Sequence, residues 1–198
     1  MATFTELCAD VYTITNRPDL VGETAVAVKA ATLKAHQSDF FFKDIFESGV
    51  QFDTSDYNQQ LDISTVVPRY RALKYFRRYD NSSTGAAMEF FTICTPLETV
   101  DSYGIDRTNI VYGAGGIINI KSKVPFQYAL LGVYVNPSIV QTSFNSWIAN
   151  DHPYAIVFEA ARLVFKQIGF DEQSAAFERL AAEQFAELKL SNVQLAGY

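Results

Sequence analysis

The spacing of apolar residues changes twice along the chain, and this limits the available folds more than any other feature. Residues 4–48 and 141–190 carry apolar side chains three and four apart, the spacing that gives a helix one apolar face. Residues 49–140 alternate instead, with turn residues at short intervals, as strands do. A chain patterned this way reads as α+β: a helical bundle from N- and C-terminal helices, with a central antiparallel β-rich insertion. The expected divisions are N-terminal helices in 1–48, the β-rich region in 49–140, C-terminal helices completing the bundle in 141–190, and an extended tail in 191–198.

Thr3 and Glu6 have the spacing of a capping box, in which hydroxyl and carboxylate each accept from a free backbone N–H. Phe4, Leu7, Cys8, Val11 and Ile14 then share a helix face, which makes Cys8 a core residue. Pro18 is expected to open a second helix, capped by Asn16 or Arg17 and ending near residue 36. Its stretch 24–35, dominated by Ala, Val and Thr, can approach another helix closely but buries little area per residue. Phe40, Phe41 and Phe42 follow in a row. Three adjacent side chains cannot all point inward from one regular element, so at least one should fill a pocket beside the bundle or in a partner.

In the middle, 50–52 and 60–63 read as two strands around a turn at 53–58, rich in Asp, Ser and Asn. Residues 70–79 are the longest strand candidate, pairing across a turn at 80–85 with 88–95. A short helix is expected over 97–103, ended by Gly104. Residues 109–112 and 117–120 flank Gly113, Ala114, Gly115 and Gly116, a hairpin turn, and 127–135 form the last strand. Connections this short make the strands mostly antiparallel. Further on, Asn150 or Asp151 should cap a helix that has Pro153 in its first turn and Gly169 at its end. Its shared face is Val157, Phe158, Ala161, Val164, Phe165 and Ile168. The last helix, 172–190, has a stripe of Phe177, Leu180, Ala181, Phe185 and Leu188, with Glu172, Glu178, Glu183 and Glu187 on its other faces.

Only 19% of residues are charged, while there are sixteen Phe and eleven Tyr. That balance fits subunit interfaces, where aromatics are enriched and charges depleted, or a large aromatic core. A net charge of -6 argues against a chain that coats nucleic acid. Cys8 and Cys94 lie too far apart in sequence for a metal or redox motif. His36 and His152 lack a second His or Cys at zinc-ligand spacing. Gly113, Gly115 and Gly116 lack the following lysine of a phosphate loop, and no G-x-S-x-G elbow is present. No catalytic residue, metal or cofactor is therefore expected, and the chain reads as a structural subunit rather than an enzyme. No apolar run approaches the ~20 residues of a membrane span, and the N-terminus does not resemble a signal peptide. A soluble protein made in a reducing cytoplasm is expected.

One basic cluster stands out: Arg69, Arg71, Lys74, Arg77 and Arg78. In a regular strand Arg69, Arg71 and Arg77 share one face. Such a strip suits a solvated surface, a protein contact, or the phosphates of a nucleic acid.

Several stretches resemble the head–tail adaptor proteins (connector or neck proteins) of tailed bacteriophages, especially short-tailed ones. They are Thr15-Asn16-Arg17-Pro18-Asp19-Leu20, Ala30-Ala31-Thr32-Leu33-Lys34-Ala35-His36 with Asp39-Phe40, and Pro125-Phe126-Gln127-Tyr128-Ala129-Leu130-Leu131-Gly132. The resemblance is strongest in Ser146-Trp147-Ile148-Ala149, Pro153-Tyr154-Ala155-Ile156-Val157 and Glu159-Ala160-Ala161-Arg162-Leu163-Val164-Phe165-Lys166. It covers most of residues 4–190 and rests on packing and capping motifs, not catalytic ones. It implies a virion protein, made in the bacterial host cytoplasm, whose copies form a ring, usually a dodecamer. Its partners would be itself, the portal protein above, tail or tail-fibre components below, and DNA passing through the channel without specific binding. No membrane is involved. The C-terminal residues Val193, Gln194, Leu195 and Tyr198 become candidates for portal docking, with Val193 to Leu195 adding a strand to a portal sheet. Glu178, Glu183 and Glu187 become candidates for lining the channel, where negative charge keeps DNA from sticking. Arg69, Arg71, Arg77, Phe40, Phe41 and Phe42 become candidates for protein contacts. The alternatives are another neck or tail subunit, or a nucleic-acid-binding module that uses the basic strand 69–78.

Overall fold

A computed structural model describes residues 2–79 and 89–195. The chain is α+β, with N- and C-terminal helices flanking a central β-rich region, as the periodicity leads one to expect. Its helices are α1 (Phe4–Thr15), α2 (Val21–Gln37), α3 (Ile63–Val66), α4 (Trp147–Asp151), α5 (Pro153–Gln167) and α6 (Asp171–Leu195). Its strands are β1 (Ile45–Asp62), β2 (Tyr70–Tyr79), β3 (Glu89–Phe90), β4 (Thr92–Ile93), β5 (Ile110–Ala114) and β6 (Ile117–Val135). Two compact units result, one from 1–44 with 136–198 and one from 45–135. The β-rich unit therefore begins and ends earlier than the expected 49–140. Strand structure starts directly after a 3-10 turn at Phe42–Asp44, and it stops at Val135, just ahead of Asn136 and Pro137.

In the helical unit, α1 opens with the expected capping box. Glu6 N–H donates to Thr3 Oγ1 at 3.2 Å and Thr3 N–H donates to Glu6 Oε2 at 2.7 Å. Pro18 does not open α2. Asn16 takes a left-handed conformation (φ 52°) that turns the chain, Arg17 pairs with Asp19 at 2.8 Å, and the helix starts only at Val21. Ala27, Ala31 and Ala35 of α2 share one buried core with Ala155 and Ala160 of α5, and the two helices pack together. Close helix approach is thus built from both sides. Cys8 is buried in the same core, among Leu7, Val28, Ile156 and Val164. Neither Asn150 nor Asp151 caps α5. Asn150 accepts from Ala2 N–H at 2.7 Å, Asp151 pairs with Lys43 at 2.6 Å, and His152 takes the cap position without a side-chain bond.

The last helix is longer than its charge pattern suggests. It continues to Leu195, so residues 191–195 are helical and not an extended tail. Leu180 is exposed, while Ser174 and Asn192 lie on the buried side with Ala181 and Leu188.

In the β-rich unit, β6 is the organising strand. It pairs with β1 along one edge for most of its length, while β2 and β5 share its other edge end to end. The residues 50–63 do not form a hairpin. Up to Asp62 they belong to one long strand whose register slips around Asp56, because both halves find partners on the same β6, and Ile63 opens α3. Pro125 sits where pairing lapses between Lys121 and Phe126, so the missing N–H breaks no ladder bond. The buried set of β6 changes parity past Phe126, from Ile118, Ile120, Ser122 and Phe126 to Ala129, Leu131 and Val133. Phe126, at the bend, packs against Phe52, Phe76 and Phe91. The predicted strand 88–95 is divided. Glu89–Phe90 pairs with β2, Thr92–Ile93 pairs in parallel with β5, and Met88 and the turn 80–85 lie outside the described residues. The hairpin turn stands as expected, with Gly115 and Gly116 at φ 61° and 85°, values that a side chain would strain. In place of a helix over 97–103 there is a 3-10 turn, Pro96–Thr99. Among the described residues, no helix is long and apolar enough to cross a membrane.

Candidate functional site

The segment that carries Phe40, Phe41 and Phe42 is held more firmly than any sequence pattern indicates. Phe41 alone points inward, against the edge of Trp147 at 5.4 Å between ring centres, and it is fully buried. Phe40 and Phe42 are half exposed on either side of it. A single irregular stretch thus does what one helix or strand could not.

Three ties fix this stretch. At its far end, Asp44 Oδ1 accepts from Trp147 Nε1 at 2.7 Å and lies 2.8 Å from His36 Nδ1. His36 Nε2 lies 2.9 Å from Ser146 Oγ, which also accepts from Ala149 N–H to cap α4. An ionised carboxylate can only accept, so the bond to Asp44 is a donation from His36 Nδ1, while Nε2 bonds the Ser146 hydroxyl. Next, Lys43 pairs with Asp151 and lies over the Trp147 ring at 4.9 Å. Last, the Asn192 amide of α6 reaches across. Phe42 N–H donates to its Oδ1 at 3.1 Å, and its Nδ2 donates to Phe40 O and Asp39 Oδ2, both at 3.2 Å.

Ser146, His36 and Asp44 form the hydrogen-bonded order of a hydrolase triad. Their burial sets them apart from one: relative exposures are 4%, 2% and 4%, and the Ser146 oxygen is already engaged as a helix cap. A substrate carbonyl has no approach to that oxygen while the core is closed. The set joins the end of α2, the 3-10 turn and the start of α4. Sequence offered no clue to it, because its members are 8 and 110 residues apart.

Two groups of candidate residues, far apart in sequence, are thereby brought together. Asn192 ties the phenylalanine stretch to α6, and Val193, also exposed, is its next residue. Val193 and Gln194 are helical, so the expected strand addition by 193–195 is not available to this conformation. The physical reason is the buried Asn192, whose three bonds hold the last turn in place. Tyr198 lies outside the described residues.

The channel candidates Glu178, Glu183 and Glu187 are all exposed on α6. At about 100° per residue, Glu183 and Glu187 lie roughly 40° apart around the helix, while Glu178 is about 140° from Glu183. Glu178 instead lies close enough to Arg162 of α5 to favour its charged form.

Regular alternation does not hold through the basic strip. Register irregularities between Tyr70 and Ala72 and between Leu73 and Tyr75 break the alternation that would align Arg69, Arg71 and Arg77. Arg78 pairs with Glu89 at 2.7 Å. Arg77 lies 3.7 Å from Glu47 and stacks near Tyr75 and Phe90. Arg69 is exposed beside a cavity of about 120 Å³ that it lines with Phe46, Val66, Val67, Pro68 and Val135.

One further charge cluster ties α2 to α5. Glu159 is buried, yet it pairs with Arg162 at 2.6 Å and with Lys34 at 2.9 Å. Burial alone would raise its pKa; the bonds from Arg162 and Lys34 overcome this and hold it below the ordinary value. Among the described residues no cluster of His, Cys, Asp and Glu could hold a metal ion.

No protein-family model matches the chain, and no curated protein matches it at a significant level.

Proposed function

We propose that this chain is a structural subunit of a phage neck, a head–tail adaptor whose copies form a ring between portal and tail and continue the DNA channel. The observation that carries this reading is the pinned stretch Asp39–Asp44. An apolar pair, Phe40 and Phe42, is offered to solvent on a support held by Asn192, His36, Trp147 and Asp151. Side chains ordered in advance lose little freedom on docking, and aromatic anchors of this kind dominate protein interfaces. The support lies next to the exposed C-terminal end of α6, so the portal-facing surface is a helix end with two phenylalanines rather than an added strand.

Nothing in this surface calls for a reaction, and the Ser146–His36–Asp44 set serves as a brace. The nucleic-acid alternative has less support, since Arg77 and Arg78 each face a carboxylate of their own sheet. Another neck or tail subunit would use the same kind of surface on a different partner.

The test is binding to the purified portal ring of the same virion, read by sedimentation. Phe40→Asp and Val193→Asp should each weaken co-sedimentation at least tenfold while thermal unfolding stays unchanged. Portal binding equal to that of the unaltered chain in both variants would overturn the reading.

A further inference from the structure

The β-rich unit carries an exposed apolar loop and, at the opposite end of its central strand, a cavity. The loop runs between β4 and β5. Leu97 is 94% exposed, Tyr103 88% and Ile105 64%. Such exposure usually accompanies a loose loop, but this one is internally braced. Thr95 and Glu98 form a capping box around the 3-10 turn. The Asp101 carboxylate accepts from Tyr103 and Ile105 N–H, both at 2.8 Å. Arg107 N–H donates to Thr99 O at 2.9 Å, closing the loop's base, and Asp106 pairs with Lys121 near the start of β6.

The cavity is walled by Phe46, Val66, Val67 and Val135, at the end of β6. Its volume of about 120 Å³ is close to the ~150 Å³ that accommodates a benzene molecule in an engineered protein core, so one large apolar side chain suits it. The charges around the two features are opposite. The loop carries Glu98, Asp101 and Asp106 against one Arg107, while the cavity is edged by Arg69, which forms no ion pair among the described residues. Leu97 does not fill the cavity of its own chain, since it is almost wholly in solvent.

We infer that Leu97 of one copy seats in the Phe46–Val66–Val67–Val135 cavity of the next, with Tyr103 and Ile105 covering the mouth and Arg69 facing the loop's carboxylates. A knob and a socket on different ends of one unit make a heterologous contact, the kind that repeats by rotation into a ring. This deepens the proposed ring and rests on it.

The test uses the full chain with Cys94→Ser, so that the exposed thiols are the introduced ones. Leu97→Cys and Val66→Cys in the same chain should give, on mild oxidation, a ladder of linked copies. Leu97→Cys mixed with Val66→Cys should give the linked pair. Separately, Leu97→Asp should reduce self-association in sedimentation at least tenfold, with unchanged circular dichroism. Arg69→Glu should reduce it less at high salt than at low, because salt screens exposed charges. If the unaltered chain assembles with or without portal, and Leu97→Asp assembles equally well and no ladder forms, the knob is overturned and the ring stands. If the unaltered chain stays monomeric in both settings, the ring reading falls and the inference with it.

Discussion

The ring of Tyr75 lies across the α-carbon of Gly132, its partner in the β2–β6 ladder. A β-carbon added at Gly132 would collide with Cε1 and Cζ of that ring. The ring also meets Phe90 edge to face and carries the Arg77 guanidinium over it, so its room to move away is limited. Gly132→Ala should therefore destabilise the β-rich unit by about 1–3 kcal/mol, the usual cost of overpacking. Adding Tyr75→Ala should recover part of the loss. Urea unfolding of the single and double variants measures both, and full additivity would show that the ring does not press on this site.

Gly132 also marks the boundary of what the sequence discloses. Alternation identified 70–79 as a strand and 127–135 as another, and the glycine pair at 115–116 identified the hairpin. Nothing local says that Tyr75 covers Gly132, because that depends on register. The same limit explains the misread hairpin at 50–63. Asp53 to Asn58 carries turn residues, yet β6 offers partners to both sides of it, and long-range pairing overrides the local preference. Capping was legible at Thr3, where donor and acceptor lie three residues apart. It failed at Asn150 and Asp151, whose side chains are claimed by Ala2 and Lys43 from elsewhere in the chain. The candidate surface divides in the same way. Three phenylalanines in a row disclosed that some must face out, while the Asn192 anchor spans 150 residues and left no local trace.

Glu159 should make stability fall in acid. Its folded-state pKa lies below the ordinary 4.5, so the unfolded chain binds the proton more readily. The stabilisation is present above about pH 4.5 and is lost as pH falls through the folded value. Glu159→Gln should flatten that part of the stability–pH curve, measured by urea unfolding between neutral pH and pH 3. Arg162→Ala should cost about 3–5 kcal/mol at neutral pH, because it leaves a buried carboxylate short of its closest partner. Lys34→Ala should cost less, since the Lys34 side chain is half in water.

His36→Ala should loosen the support under Phe40 and Phe42 without any loss of chemistry. It removes one of the two groups bonded to Asp44 Oδ1, leaving Trp147, and the ring partner of the Ser146 hydroxyl, at about 1–3 kcal/mol for a buried group left unsatisfied. Trp147 is the only tryptophan, and it contacts both Asp44 and the His36 ring. Its fluorescence should therefore change in this variant before global unfolding. An unchanged emission spectrum and midpoint would mean that the brace carries no strain from its surroundings.

Asn192→Ala separates position from contact at the proposed portal surface. The side chain is buried and reaches the phenylalanine stretch through three hydrogen bonds. Removing them leaves Phe40, Phe42 and Val193 in the sequence but frees the stretch from α6. Portal binding should fall, though by less than in Phe40→Asp, because the aromatic rings remain and the added cost is that of ordering them on contact. Hydrogen exchange should show faster exchange at Phe42 N–H, which loses its acceptor. Chain shortening after residue 195 provides the complementary measurement, since it leaves Asn192 and the whole of α6 in place. Full binding by the shortened chain would assign docking to the helix end and the phenylalanines. Lost binding with normal exchange at Phe42 would assign it to residues 196–198 instead.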